Sequence, residues 1–266
     1  MDPLSRVGLA SRMNKVPEVT LSFWMIKIMA TTVGETAADF LNSSLGLGLS
    51  RTSAVMAALL VIALVGQVAT RRLMPWAYWL AVVIVSVVGT LITDNLTDGL
   101  GVPLALTTAV FALALAACFA FWYASERTLS IHTVYTLRRE LFYWAAILLT
   151  FALGTAAGDW VAETLQLGYL LSALAFGSTI VLVALAHFKF GLNAVLAFWI
   201  AYILTRPFGA SLGDLLSQSA GHGGLGLGTV STSAAFLSVI LALVANATWS
   251  QRAKLRAVRV VEEIES

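Results

Sequence analysis

The chain has 266 residues, of which 59% are hydrophobic and 11% are charged, and its formal net charge is +2. Soluble domains carry about 25% charged residues, so this composition excludes an ordinary soluble domain and indicates an integral membrane protein. The chain has one cysteine, Cys118, which excludes a disulfide within the chain and a thiolate metal site.

Residues 1–18 are predicted to form a cytoplasmic N-terminal segment without the apolar core of a cleaved signal peptide. Apolar stretches long enough to cross a bilayer as helices follow at about residues 19–44, 51–70, 75–97, 103–124, 140–164, 168–188, 192–217 and 229–249. The predicted fold is therefore an all-α integral membrane protein with eight transmembrane helices. A cytoplasmic linker, 125–139, joins a first half, 19–124, to a second half, 140–249, and residues 250–266 form a cytoplasmic tail.

One pattern occurs four times along the chain. Each copy has a Trp, a Gly ten residues later and an Asp fifteen residues later. The Trp residues are Trp24, Trp79, Trp144 and Trp199, and the Asp residues are Asp39, Asp94, Asp159 and Asp214. Repetition at fixed spacing indicates one supersecondary unit that is copied along the chain. Here the unit is a pair of helices, and the pattern lies on the first helix of each pair.

The direction in which each repeat enters the membrane follows from its having two helices. Since every copy has an even number of helices, all four copies enter the membrane in the same direction, with pseudo-symmetry about the membrane normal. Lys and Arg residues in the loops lie almost entirely on one side, whereas Arg51 lies on the other. The positive-inside rule then places both termini in the cytoplasm. The expected location is the bacterial plasma membrane.

Small residues recur on the helices that carry the Trp. Glycines at four-residue spacing from another small residue allow close contact between helix backbones in lipid. We therefore predict a packing role for six glycines: Gly34, Gly89, Gly154, Gly158, Gly209 and Gly213. Pro207 lies inside the seventh helix, where a kink is expected.

A second acidic residue accompanies three of the four aspartates of the repeated pattern. Residues four apart share one face of a helix, and this spacing relates Glu35 to Asp39, Asp98 to Asp94, and Glu163 to Asp159. Acids at membrane depth usually face a cavity, a partner or an ion, so these seven acids predict a cation or proton site. The alternative is that they are solvated groups at the outer surface. Carboxylate and hydroxyl oxygens suit Mg²⁺, Mn²⁺ or Ca²⁺.

The aromatic and basic residues of the same helices allow two interpretations each. Trp24, Trp79, Trp144 and Trp199 either belong to an interfacial aromatic belt or line a central path. Lys27 either extends to the interface, which we favour, or pairs with an acid as a gate. Arg206 either neutralises an acid or caps a broken helix. The histidines His132, His187 and His222 are expected to be solvated.

The four Trp-bearing copies, which cover about residues 19–249, resemble a bacterial family of uncharacterised membrane-anchored proteins. That family consists of four tandem repeats of a domain of unknown function, each with two transmembrane segments and a Trp. Some relatives carry a metal-resistance label, and this resemblance implies export of a cation. The fourth copy departs from the pattern, because it has a Gly-rich insertion and Gln218 where the first three have a second acid nearby.

These observations lead to the expectation of a secondary transporter that exports a hard divalent or trivalent metal cation, such as manganese or magnesium, in exchange for protons. Its partners would be the lipid bilayer, the cation and protons, without nucleic acid, and a homodimer is left open. It would have no resident cofactor and would not be an enzyme. The alternatives are a cation channel, a carrier of organic cations or small metabolites that uses the Trp residues, and a membrane scaffold that transports nothing.

Overall fold

The computed structural model describes residues 14–70 and 72–265. Eight long α-helices form most of this part of the chain, which contains no β-strand, so the prediction of an all-α chain with eight helices is confirmed. Their bounds are Leu21–Asp39 (α1), Leu49–Ala69 (α2), Pro75–Asp94 (α3), Leu104–Glu126 (α4), Leu137–Asp159 (α5), Gly168–Phe190 (α6), Ala194–Ser217 (α7) and Thr229–Glu265 (α8).

Four helices form a closed inner ring. The helices α1, α3, α5 and α7 each contact the next one in this order, and α7 contacts α1. The other four lie outside the ring, where α2 packs on α3, α4 on α5, α6 on α7, and α8 on α1. The second helix of each repeat therefore packs mainly on the first helix of the following repeat. This arrangement has four-fold pseudo-symmetry about an axis that passes through the centre of the inner ring, between its four helices.

The inner and outer helices differ in exposure. Seven helices of the described chain are long and apolar enough to cross a membrane, and the exception, α1, contains Lys27 and Glu35. In the most apolar stretches of α3 and α5, 67% of the residues are buried, against 11% in α6. Large apolar side chains on the outer helices are exposed, among them Ile62 in α2 and Leu182 in α6. A surface of this kind indicates a multi-pass membrane protein.

The four inner helices, each of which carries an aspartate of the repeated pattern, end in two ways. The helices α1, α3 and α5 continue directly into five-residue π-helical turns, Phe40–Ser44, Asn95–Gly99 and Trp160–Thr164. Helix α7 ends at Ser217, and a Gly-rich loop returns to it. The backbone N–H groups of Leu225 and Leu227 donate to the carbonyl oxygens of Leu215 and Leu216, at 2.7 and 2.9 Å. The insertion in the fourth repeat thus caps a helix end.

The glycines of the repeated pattern lie where neighbouring inner helices meet. A Cβ atom added to Gly34 would overlap Ser86 on α3, and one added to Gly209 would overlap Thr31 on α1. Gly89 lies in the same way against Phe151, and Gly154 against Arg206. Each of these glycines therefore contacts the residue seven positions after the Trp of the next repeat. Gly158 and Gly213 are in ordinary to tight contact with Pro207 and Thr32.

Two further regions position the ring. Helix α7 continues through Pro207 as one element, so the proline does not end the helix, and the kink expected there stays a prediction. At the other end of the ring, the Lys15 ammonium donates to Glu140 Oε2 at 2.6 Å and to the Val68 carbonyl at 3.0 Å. The Lys15 backbone N–H donates to the Val134 carbonyl at 3.0 Å. The end of the N-terminal segment is thus fastened to the linker, whereas residues 1–13 of that segment lie outside the described residues.

Candidate functional site

Corresponding residues of the four inner helices lie in layers along the axis. We name each layer by its position relative to the Trp of the repeat, and call the two ends of the ring the tryptophan end and the aspartate end. The aromatic layer, one residue before the Trp, contains Phe23, Tyr78, Tyr143 and Phe198. The lysine layer, three residues after it, contains Lys27, Val82, Ile147 and Tyr202.

Three more layers follow towards the aspartate end. The arginine layer, seven residues after the Trp, contains Thr31, Ser86, Phe151 and Arg206. The central layer, eleven residues after it, contains Glu35, Thr90, Thr155 and Ala210. The aspartate layer contains Asp39, Asp94, Asp159 and Asp214. Every residue of the first four layers is buried, with at most 8% of its surface exposed, whereas the aspartates are half-buried.

A buried ion pair occupies the middle of the axis. Arg206 Nη2 lies 2.5 Å from Glu35 Oε2 and donates to Thr155 Oγ1 at 2.7 Å and to Thr90 Oγ1. Arg206 Nη1 donates to the Thr31 carbonyl at 3.2 Å. Additional hydrogen bonds are what a buried pair needs to offset the loss of hydration. One side chain from α7 thus contacts all three other inner helices.

Sequence reasoning identified part of this cluster. Glu35 was predicted as an ion-site acid, and Arg206 as a group that neutralises an acid or caps a helix; the structure places it opposite Glu35. Thr90 and Thr155 were not predicted. Both occupy the same repeat position as Glu35, eleven residues after the Trp, and alignment of the four copies at that position would have revealed them.

The predicted acids gather at the aspartate end. Asp39, Asp94, Asp159 and Asp214 follow one another around the ring, each at or near the end of its inner helix. Asp98 and Glu163 lie on the π-helical turns and are exposed. Among the described residues, no three Asp, Glu, His or Cys side chains come close enough together to hold a metal ion. The acids therefore share one end of the ring, with the four aspartates on the inner helices and Asp98 and Glu163 on the turns that follow.

The four tryptophans pack between repeats at the other end. Phe23 contacts Trp79, with ring centroids 5.3 Å apart, and Tyr78 contacts Trp144 at 5.6 Å. The same contact joins Tyr143 to Trp199 and Phe198 to Trp24. Trp79, Trp144 and Trp199 are almost fully buried, and Trp24 is half-buried. These rings belong to the core of the tryptophan end and not to a belt at the surface.

The position of Lys27 contradicts the interpretation that we favoured, in which its side chain extends to the membrane interface. Its side chain does not extend to an interface, because it is fully buried on the axial side of α1. The Nζ atom lies 3.9 Å from the centroid of the Phe151 ring and 4.3 Å from that of Tyr202. It has no hydrogen-bond partner within residues 14–70 and 72–265. Snorkelling requires a helix face that borders lipid, and this face of α1 borders the three other inner helices.

Comparison with known proteins agrees with the internal repetition. The Repeat of Unknown Function (DUF347) matches residues 22–73, 77–128, 142–192 and 197–253. No match was found among curated proteins or among solved structures. Each matched segment contains most of one inner helix and most or all of the outer helix that follows it. The chain belongs to the family that is defined by the Repeat of Unknown Function (DUF347), and it carries four copies of the repeat.

Proposed function

We propose that this protein is a secondary transporter of the plasma membrane that exports a hard cation, such as Mn²⁺ or Mg²⁺, in exchange for protons. The observation that carries the proposal is the stack of charged groups on one axis. Four half-buried aspartates lead to a fully buried Glu35–Arg206 pair. Ionisable groups inside a membrane protein are costly and usually mark the route of an ion or a proton.

The distribution of basic residues supports a cytoplasmic tryptophan end. Described Lys and Arg residues outside the helix interiors are concentrated there, namely Lys15, Arg72, Arg127, Arg138, Arg139 and Lys189. Arg51 lies at the aspartate end. Residues Arg6, Arg12 and Arg71, and the side chains of Arg252, Lys254, Arg256 and Arg259, lie outside the described residues. Positive residues concentrate on the cytoplasmic side of membrane proteins, so the aspartate end would face outwards.

The aspartate layer would attract and release the cation, and the central layer would be its occluded site. Glu35, Thr90 and Thr155 supply a carboxylate and two hydroxyl groups, which are hard oxygen ligands. Arg206 already occupies these groups. A cation that reaches the layer would replace its guanidinium group on Glu35, and departure of the cation would restore the pair. Rocking of the two halves about the axis would expose the layer to each side in turn.

A channel is less well supported than a carrier. The guanidinium group of Arg206 is fixed on the axis and the Lys27 amine lies one layer further towards the tryptophan end. Cation channels concentrate cations with rings of acids or carbonyl groups, and basic groups on the axis oppose free passage of cations. Closure by the aromatic layer adds a second barrier.

One observation favours a second candidate, a carrier of small organic cations. The groups of the central layer already bind a guanidinium group, that of Arg206, through a carboxylate and two hydroxyl oxygens. A free guanidinium or alkylammonium ion presents the same hydrogen-bond donors. The panel of test cations should therefore include guanidinium besides the metals.

The test is transport by the purified protein in lipid vesicles with a pH gradient. We expect wild type to move Mn²⁺, Mg²⁺ or guanidinium against its gradient when protons flow the other way. Asp39→Asn and Asp159→Asn should each lower the rate by about tenfold, the effect of roughly 1.4 kcal/mol of lost attraction. Glu18→Gln is the matched control, because Glu18 is an exposed acid at the tryptophan end. Transport that is absent in wild type for every cation, or equal in all variants, would contradict the proposal.

A further inference from the structure

The Lys27 amine is the one basic group in the lysine layer, and it is buried with no counterion beside it among the residues that the structure describes. The corresponding residues of the other repeats, Val82, Ile147 and Tyr202, are also fully buried. Within the described chain, neither Lys27 Nζ nor the Tyr202 hydroxyl group has a hydrogen-bond partner. Two aromatic rings, Phe151 and Tyr202, are the groups that face the amine directly. Such rings stabilise an ammonium group over their faces, although less than a carboxylate would.

Each inner helix contributes identifiable groups around this amine. Helix α7 contributes Tyr202 and Arg206, and the Arg206 guanidinium carbon lies 5.7 Å from the centroid of the same Phe151 ring. On α1, Glu35 lies two turns further on and is already paired with Arg206. In the lysine and arginine layers, α3 contributes Val82 and Ser86, and α5 contributes Ile147 and Phe151. The phenol groups of Tyr78 and Tyr143 close the axis at the aromatic layer, where their oxygens are 2.5 Å apart.

The charge that Lys27 experiences depends on the state of the Glu35–Arg206 pair. While the pair is intact, the carboxylate of Glu35 offsets part of the positive charge of Arg206. When a cation occupies Glu35, that offset is lost. Two further positive groups then lie on the same axis as the amine, in surroundings from which water is excluded. Repulsion between like charges at short range in such surroundings is strong, and it favours loss of a proton from the ammonium group.

We propose that Lys27 is the proton carrier of the exchange, an inference that rests on the proposed function and names its coupling residue. When a cation enters the central layer, a Lys27 Nζ–H bond breaks, the electron pair stays on nitrogen, and the proton passes to water on the cytoplasmic side. When the cation leaves, the amine takes up one proton that arrives from outside past the aspartate layer. Cation and proton thus exclude one another from the axis, and one moves outwards as the other moves inwards.

The experiment separates proton movement from cation movement. Vesicles containing wild type, Lys27→Met or Lys27→Gln are loaded with a pH-sensitive dye and exposed to a gradient of Mn²⁺, Mg²⁺ or guanidinium. Wild type should move protons in response to the cation that it transports, and its cation flux should depend on the pH gradient. Both Lys27 variants should still let the cation flow down its own gradient. Their cation-driven proton movement should fall to the level of protein-free vesicles, and their cation flux should no longer depend on pH.

The control and the contrary outcomes are distinct from those of the proposed function. Lys189→Gln removes an exposed ammonium group at the end of α6 and should behave as wild type. Wild type that transports no cation and no protons overturns both proposals. Wild type that couples the two, with a Lys27 variant that is monodisperse in detergent and still couples them, overturns this inference and leaves the proposed function standing. If the Met variant does not fold, the Gln variant decides.

Discussion

At the scale of single residues, the Glu35–Arg206 pair is the feature that most needs an explanation. Replacing a buried ion pair by apolar side chains is often neutral or stabilising, so such a pair is weak evidence for stability alone. This pair lies on the axis and is joined by hydroxyl groups from two other helices. The proposed role in binding would explain why polar groups from four repeats meet there. The pair nevertheless makes the protein sensitive to loss of one partner.

Glu35→Gln should destabilise the protein by about 3–5 kcal/mol, because it leaves the fully buried Arg206 without a counter-charge. The measurement is the thermal unfolding midpoint in detergent, compared with wild type. Glu163→Gln is the matched control, since Glu163 is an exposed acid at the aspartate end, and its effect should stay within about 0.5 kcal/mol. Equal midpoints for the two variants would contradict a charged, buried pair.

Sequence spacing predicted the acids of the site but not all their partners. Four-residue spacing related Glu35 to Asp39, and the repeats placed the four aspartates at one depth. The partners of Arg206 come from three other helices, and a contact between helices depends on which faces meet. The preference for a snorkelling Lys27 failed for the same reason. The sequence around a long basic side chain near a helix end is the same kind of pattern whether that face of the helix borders lipid or three other helices.

At the scale of helices, the packing between repeats is the main result that the sequence could not provide. Length and hydropathy located the eight helices to within about five residues at each bound, except that α8 continues past its predicted end at residue 249 to Glu265. The outer helices are apolar on all sides, so their sequence does not mark the face that contacts the inner ring. The structure pairs each outer helix with the following repeat, and α8 with α1. The glycines, predicted as packing residues, lie at the contacts between inner helices.

Gly209→Ala should destabilise the contact between α7 and α1 by about 1–3 kcal/mol, the usual effect of adding a methyl group to a close-packed interior. The added Cβ would overlap Thr31, which has little room to move because it is fully buried. Gly66→Ala on α2 is the matched control, because no atom of the described chain lies within 4 Å of its added Cβ. The unfolding midpoint should fall for the first variant and stay level or rise for the second.

Tyr78→Phe tests the contact between α3 and α5. The Tyr78 and Tyr143 hydroxyl groups share a hydrogen bond of 2.5 Å, and both side chains are buried. Removing one hydroxyl should lower stability by about 1 kcal/mol, since the other is left without its partner. Tyr123→Phe on the exposed side of α4 should have no measurable effect. If both variants have the same unfolding midpoint as wild type, the two phenol groups do not form this hydrogen bond.

At the scale of the whole molecule, the inner ring closes because α7 packs on α1, and α8 packs on α1 from outside the ring. The two halves therefore meet on two sides, through α3 and α4 against α5 on one side and through α7 and α8 against α1 on the other. Trp122 illustrates the first contact, since this residue of the first half is fully buried against Phe142 and Trp199 of the second. Neither half alone would cover these surfaces. The repeats are therefore units of sequence but not units that complete their own packing.

Separate expression of residues 1–127 and 128–266 should test this closure. The cut falls in the loop after α4, next to Arg127, so it breaks no helix. We expect the two fragments to co-purify through a tag on either one when they are expressed together, because both contacts between the halves survive the cut. Expressed alone, each fragment should aggregate in detergent, since the faces around Trp122 and on α1 are left uncovered. A cut between Ala114 and Leu115 inside α4 is the control, and it should prevent recovery of the pair because it divides a membrane-length helix. A fragment 1–127 that is monomeric and monodisperse by itself would show that the ring does not depend on closure by the second half.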